Sequence, residues 1–155
     1  MSVSPPNPVT ILVVDDDEGH CELIRRNLRR VALRNPIVVV NSGEAALDYV
    51  HGSGPYAGRA AAWPLLILLD INMPGAINGL DVLRQLKTDP STRNLPVIML
   101  TTTDDPREIA RCYELGCNIY VTKPVDPAVF IDAIHRLGLF IEISTLAPLV
   151  SEASP

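Results

Sequence analysis

The stretch LLILLDINMP, residues 65–74, decides how the rest of the chain is read. Its five leading apolar residues suffice for one strand buried on both faces, and the run stops at Asp70 before Asn72, Met73 and Pro74 turn the chain away. An acid at the carboxyl end of a buried strand is costly to desolvate unless something there uses it.

Other runs of the same kind lie on both sides. Residues 10–14, 37–40, 97–100 and 119–121 are short and apolar, and each reads as a buried strand. Between them the apolar period changes. From Glu18 to about Val31, Cys21, Ile24, Leu28 and Val31 recur at three and four residues, the face of an amphipathic helix. Ser42 is an N-cap for a helix through Ala45, Leu47 and Val50, and a third helix spans 80–87 before Asp89-Pro90. Asp105, Pro106 and Glu108 start a fourth that ends at Gly116, and Asp126-Pro127 open a last one from Ala128 into the 140s.

Five strands alternating with five helices predict an α/β fold, a doubly wound five-stranded parallel sheet with helices on both faces. In such sheets the site lies outside the carboxyl ends of the strands. That rule gathers Asp15, Asp16, Asp17, Asp70, Thr101 and Lys123 at one edge.

At 155 residues the chain fits one domain. Residues 1–8, with three prolines, read as a flexible leader; 9–143 form the domain with an extended last helix, and 144–155 a tail. A formal net charge of −5 and the absence of a clustered basic patch argue against nucleic acid as a partner. Cys21, Cys112 and Cys117 are odd in number and lack C-x-x-C spacing, so no disulfide framework or zinc site is expected. The N-terminus resembles no secretory signal, and no run approaches the roughly 20 apolar residues of a membrane span, so a cytoplasmic protein is expected. His20, His51 and His135 are scattered and read as solvated or packing residues, and Trp63 as packing under the long loop at 51–64.

Crowded carboxylates repel one another and call for a cation. Mg2+ suits one or two carboxylates, a carbonyl and waters. Asp16 and Asp70 can ligate directly, Asp15 through water, and the Asn72 carbonyl can complete the set. The acids at 15–18 also have a simpler reading, since negative charge at a helix N-terminus is stabilising by about 0.3–1 kcal/mol; a second strand that also ends in Asp favours the metal. An Asp70 oxygen held against Mg2+ can attack a phosphoryl group, while the Thr101 hydroxyl and Lys123 ammonium meet the developing charge. Plain β-propensity for Thr101 and a surface position for Lys123 are the alternatives.

VVDD at 13–16, LLDINMP at 68–74, MLT at 99–101 and YVTKP at 120–124 together resemble the receiver domain of two-component response regulators, a flavodoxin-like (βα)5 fold. The four blocks occur in family order over 10–137. The resemblance implies that Asp70 is the phosphoacceptor, that Asp15 and Asp16 are the acidic pair, and that the Asn72 carbonyl is a metal ligand. It makes Thr101 the switch hydroxyl, Lys123 the cation, and Tyr120 the aromatic that moves inward on activation, with a cis bond between Lys123 and Pro124. Two features depart from the family pattern: the loop GAINGLD (75–81) is one residue longer, and position 102, small in the family, is Thr102.

The resemblance further implies a signalling protein, not an enzyme, phosphorylated by a histidine kinase and acting by protein contact as a single domain. The long loop at 51–64 and the stretch HRLGLFIEISTLAP (135–148) resemble regulators that serve bacterial phytochrome kinases. Apolar residues on more than one face of the last helix, including Phe130, Ile134, Leu137, Phe140 and Ile141, predict a homodimer through the fourth and fifth helices, the alternative being a tail that folds back on its own domain. Two rivals are a Mg2+-dependent phosphohydrolase with an aspartate nucleophile and a phosphorylation-independent interaction module. The first lacks an acid at position 72, where Asn72 stands; the second has no support from a site whose residues are all present.

Overall fold

The computed structural model describes residues 9–30, 35–58, 65–102 and 104–137. Along them run β1 (Thr10–Val14), α1 (Glu18–Arg29), β2 (Ile37–Val40), α2 (Gly43–His51), β3 (Leu65–Asp70), α3 (Gly79–Thr88), β4 (Val97–Thr101), α4 (Pro106–Glu114), β5 (Ile119–Thr122) and α5 (Pro127–Arg136). The five strands form one parallel sheet in the order β2-β1-β3-β4-β5. The fold is the flavodoxin-like one the strand–helix alternation predicts.

β1 and β3 are buried along their whole length, which explains why they are written as unbroken apolar runs. Successive side chains serve opposite faces. Ile11, Val13, Leu66 and Leu68 join Ile24 and Leu28 of α1 and Phe130, Ala133 and Ile134 of α5 in one layer. Leu12, Val14, Ile67 and Leu69 join Val50 of α2, Val82, Leu83 and Leu86 of α3 and Cys112 of α4 in the other.

The helix starts follow the signals in the sequence. Asp17, Ser42, Asn78, Asp105 and Asp126 are N-caps whose side chains accept backbone N–H bonds, and Asn78 and Asp81 close a reciprocal capping box. Three strands run one residue further than their apolar segments, so Asp70, Thr101 and Thr122 are the terminal residues of β3, β4 and β5. At the opposite end of the sheet the Lys87 ammonium donates to Arg93 O, Leu95 O and Asn118 Oδ1 at 3.1, 2.6 and 3.2 Å, tying α3 to the starts of β4 and β5.

The last helix corrects one expectation. Phe130 and Ile134 are buried in the domain's own core, where they cover β1, β3 and β4, so they are not available to a partner. Leu137, the C-cap of α5, is half-buried against the same cluster. The extension of this helix into the 140s, Phe140 and Ile141, the leader at 1–8, the tail at 144–155, Val31 and Trp63 lie outside the described residues. In the long loop, a 3-10 turn at Gly54–Tyr56 places the Tyr56 ring edge-on against Tyr49, with centroids 5.2 Å apart. Among the described residues no helix is long and apolar enough to cross a membrane.

One glycine holds β3 and α3 in contact. A Cβ on Gly79 would lie 2.8 Å from Ile71 Cα and 2.9 Å from the carbonyl carbon of Asp70, both backbone atoms that cannot rotate away. The Gly79 N–H donates to Ile71 O at 3.1 Å across this approach. Gly79→Ala is therefore expected to lower unfolding free energy by at least about 2 kcal/mol through overpacking, read by urea denaturation. A variant as stable as the parent would show that the approach is not tight.

Candidate functional site

Strand order 2-1-3 means that the chain leaves β1 to one side for β2 and crosses to the other for β3. The carboxyl ends of β1 and β3 flank this reversal, where doubly wound sheets open a crevice. Val14 is in register with Leu69, so Asp15 and Asp70, each the next residue, emerge side by side.

The Asp15 side chain is fully buried. Its Oδ1 accepts the Asp17 N–H at 2.9 Å and its Oδ2 accepts from Lys123 Nζ at 2.6 Å. Asn41 Nδ2 and Cys21 Sγ donate to the Asp15 carbonyl at 3.0 and 3.3 Å, fixing the backbone behind the carboxylate. Burial, reinforced by Asp15, raises the Cys21 thiol to about 11, which keeps it a protonated donor.

Asp70 has a side chain 7% exposed. Its Oδ1 stands 3.2 Å from Lys123 Nζ and accepts the Asn72 N–H at 3.4 Å. Burial pushes its carboxyl above the usual carboxylate range, and the nearby Lys123 charge opposes this without cancelling it. Lys123 is itself only 8% exposed. Burial pulls its ammonium down, but Asp15 and Asp70 outweigh that and hold it above an ordinary lysine. The surface-lysine reading therefore does not hold. Its position is set by the main chain: Lys123 N–H donates to Thr101 O at 2.7 Å, and the Lys123–Pro124 peptide is cis, as the resemblance implies.

Asp16 is exposed, yet one carboxylate oxygen from each of Asp15, Asp16 and Asp70 lies within 4.8 Å of the others. Three hard oxygen donors at one concave edge fit a Mg2+ ion. Thr101 is buried at the end of β4. Tyr120, half-buried on β5, has its hydroxyl 3.2 Å from Thr122 Oγ1, on the same side of the strand. Asn72 is exposed and lines an open hollow of about 590 Å3 with Met73, Pro74, Asn78, Leu80 and Glu108.

Thus Asp15, Asp16, Asp70 and Lys123 converge as expected, with Thr101 beside them in the backbone, while Tyr120 stands apart at the hydroxyl of Thr122. Two residues escaped the sequence reading. Gly79 carries no chemical group to notice. His20, taken as scattered, has its Nδ1 3.1 Å from Lys123 Nζ and 3.6 Å from Asp15 Oδ2. The signal was available, because the first turn of α1 must lie at the edge where β1 ends.

A switch-point cluster of this make-up on a β2-β1-β3-β4-β5 sheet defines the receiver class of signalling domains. Residues 11–135 match the response regulator receiver domain model, and the chain belongs to that family. The response regulator Rcp1 of Synechocystis is 32% identical over 123 residues, covering 79% of this chain and 82% of that protein. The solved bacteriophytochrome response regulator AtBRR is 38% identical with a TM-score of 0.78, covering 87% of this chain and 96% of its own. The phosphorylated cyanobacterial phytochrome response regulator RcpA is 30% identical with a TM-score of 0.70, covering 84% and 91%.

The raised Asp70 carboxyl has a consequence for stability. A carboxyl raised in the fold binds its proton more tightly there than in the unfolded chain, so it favours folding below the ordinary value of 3.8. That contribution is lost as pH rises through the raised value. Asp70→Asn removes the titration, so without divalent cations its stability relative to the parent should increase as pH rises from below the ordinary value of 3.8 through the raised one. Urea midpoints of the two proteins across that range provide the check, and a difference that shrinks on the way up contradicts the assignment.

Proposed function

We propose that Asp70 reversibly accepts a phosphoryl group from a histidine kinase, and that the chain acts as a single-domain response regulator in the cytoplasm through contact with other proteins. The observation that carries this reading is the convergence of Asp70 with Asp15, Asp16 and Lys123 at the β1/β3 edge. The likeness to AtBRR and RcpA supports a kinase of the bacteriophytochrome type.

The chemistry follows from the side chains. An Asp70 carboxylate oxygen attacks phosphorus, the P–O bond forms as the P–N bond to the kinase histidine breaks, and the imidazole leaves. Asp15, Asp16, Asp70 and the Asn72 carbonyl are the residues that would hold a Mg2+ ion, whose charge offsets that of the transferred oxygens. Lys123, already ion-paired with Asp70, turns an N–H to a phosphoryl oxygen, and the Thr101 hydroxyl supplies a further donor. Resetting is hydrolysis: water attacks phosphorus and the Asp70 carboxylate departs. Asn72 directs an N–H at Asp70 and no acid stands at that position, so the site has no general base two residues from the nucleophile as a turnover phosphohydrolase would.

The regulator is further read as a homodimer. With Phe130 and Ile134 committed to the core, the large apolar residues left exposed on the described helices are Leu23 of α1, Tyr113 of α4 and Val129 of α5, 41%, 48% and 47% exposed, of which the last two lie on the helices the dimer reading uses.

Incubation with Mg2+ and a small phosphodonor such as acetyl phosphate is expected to add the mass of one phosphoryl group to the wild-type protein and none to Asp70→Asn. A mass increase that survives the substitution places the acceptor elsewhere. For the dimer, gel filtration is expected to give a dimer for the full chain and a monomer for the protein truncated after Leu137; a dimer that persists after the truncation overturns this reading.

A further inference from the structure

The Lys123 ammonium has three protons and no lone pair, so it can only donate. Three acceptors surround it: Asp15 Oδ2 at 2.6 Å, His20 Nδ1 at 3.1 Å and Asp70 Oδ1 at 3.2 Å. The contacts to Asp15 and His20 are hydrogen bonds and that to Asp70 is an ion pair, so two of the three protons are committed and the third faces Asp70. Because the ammonium donates, His20 Nδ1 must present its lone pair, which places the ring proton on Nε2. The opposite arrangement, with Nδ1–H aimed at Asp15, would set two donors 3.1 Å apart in exchange for a contact of 3.6 Å, beyond hydrogen-bond range.

We infer that His20 is a positioning residue for Lys123: with Asp15 it holds two of the ammonium protons and thereby aims the third at Asp70 and at the phosphoryl group Asp70 would carry. This rests on the acceptor role proposed for Asp70. Two fixed anchors matter because the lysine stem has four rotatable bonds, and an ammonium held by one carboxylate alone can swing about it. Asp15 and His20 come from opposite sides of the turn between β1 and α1, so together they define a direction and not merely a distance. When a phosphoryl group replaces the free Asp70 oxygen, only the third proton has to change partner. The donor is in place before the charge develops, which is where preorganised groups are most effective. His20 is 46% exposed, so it can be replaced without opening the core.

The test compares His20→Leu, which keeps bulk without an acceptor, with His20→Asn, whose Oδ1 can occupy the place of Nδ1. Beryllofluoride binding in the presence of Mg2+ reports how well the site meets a phosphoryl-like group. His20→Leu is expected to weaken it about three- to tenfold, the loss of one hydrogen bond to a charged donor at a half-exposed site, and His20→Asn to stay within about twofold of the parent. Affinity for Mg2+ alone and melting temperature should be unchanged in both. In the resting protein at mildly alkaline pH, long-range 1H–15N spectra should show the His20 proton on Nε2. Parental affinity in His20→Leu, an equal loss in His20→Asn, or an Nδ1–H tautomer overturns the inference and leaves the role of Asp70 standing. If the wild-type protein binds no beryllofluoride, the acceptor role fails and this inference with it.

Discussion

The site depends on one ammonium. Lys123 is nearly buried between Asp15 and Asp70, two carboxylates that the sheet register forces side by side. Without it, two adjacent carboxylates would sit at a desolvated strand edge and one of them would protonate. With it, Asp15 is held by a 2.6 Å bond, while Asp70, further from the ammonium, keeps a raised carboxyl. The asymmetry separates two chemically identical residues. Asp15 is bonded through both oxygens and its carbonyl; Asp70 has one weak N–H bond and the longer leg of the ion pair, and is the less constrained of the two.

The backbone places that ammonium. Lys123 follows directly after β5, and its own N–H is bonded to Thr101 at the end of β4, so two neighbouring strand ends set its origin. From the other side, Asn27 of α1 donates to Val125 O at 2.9 Å and anchors the loop that leaves the lysine. Gly79 does the corresponding work for Asp70, letting the start of α3 lie directly on the backbone of residues 70 and 71. A side chain there would push against the strand end that presents Asp70, so the fold and the site share this constraint.

Strands and helix starts were legible because two-sided burial forces continuous apolar runs and caps need particular side chains. Strand ends were less so. Asp70 continues the β3 ladder opposite Leu100 because pairing is a main-chain matter, indifferent to the carboxylate that side-chain patterning treats as a stop. The charged site residues were found by one topological rule about strand ends; the same rule, carried one turn into α1, reaches His20. Phe130, Ala133 and Ile134 show a different failure. At spacings of three and one they form the core stripe of α5, and counting apolar residues around the helix, without asking which of them the sheet requires, assigned two of them to a partner.

On the proposed reading, the fourth and fifth strand ends are also where a change at Asp70 must first be felt. Three acids against one lysine leave the cluster with excess negative charge, and a phosphoryl group adds more. With two protons committed to Asp15 and His20, Lys123 meets that charge with the third, which faces Asp70 in the ion pair. Any shift of its main chain is shared with Thr101 through the 2.7 Å backbone bond, and Thr101 is in register with Thr122, whose hydroxyl holds that of Tyr120. The contacts from acceptor to aromatic therefore run through an ion pair, a main-chain hydrogen bond, a pair of residues in register and a hydroxyl–hydroxyl hydrogen bond, and the two hydrogen bonds are strong enough to hold one arrangement and weak enough to be exchanged for another.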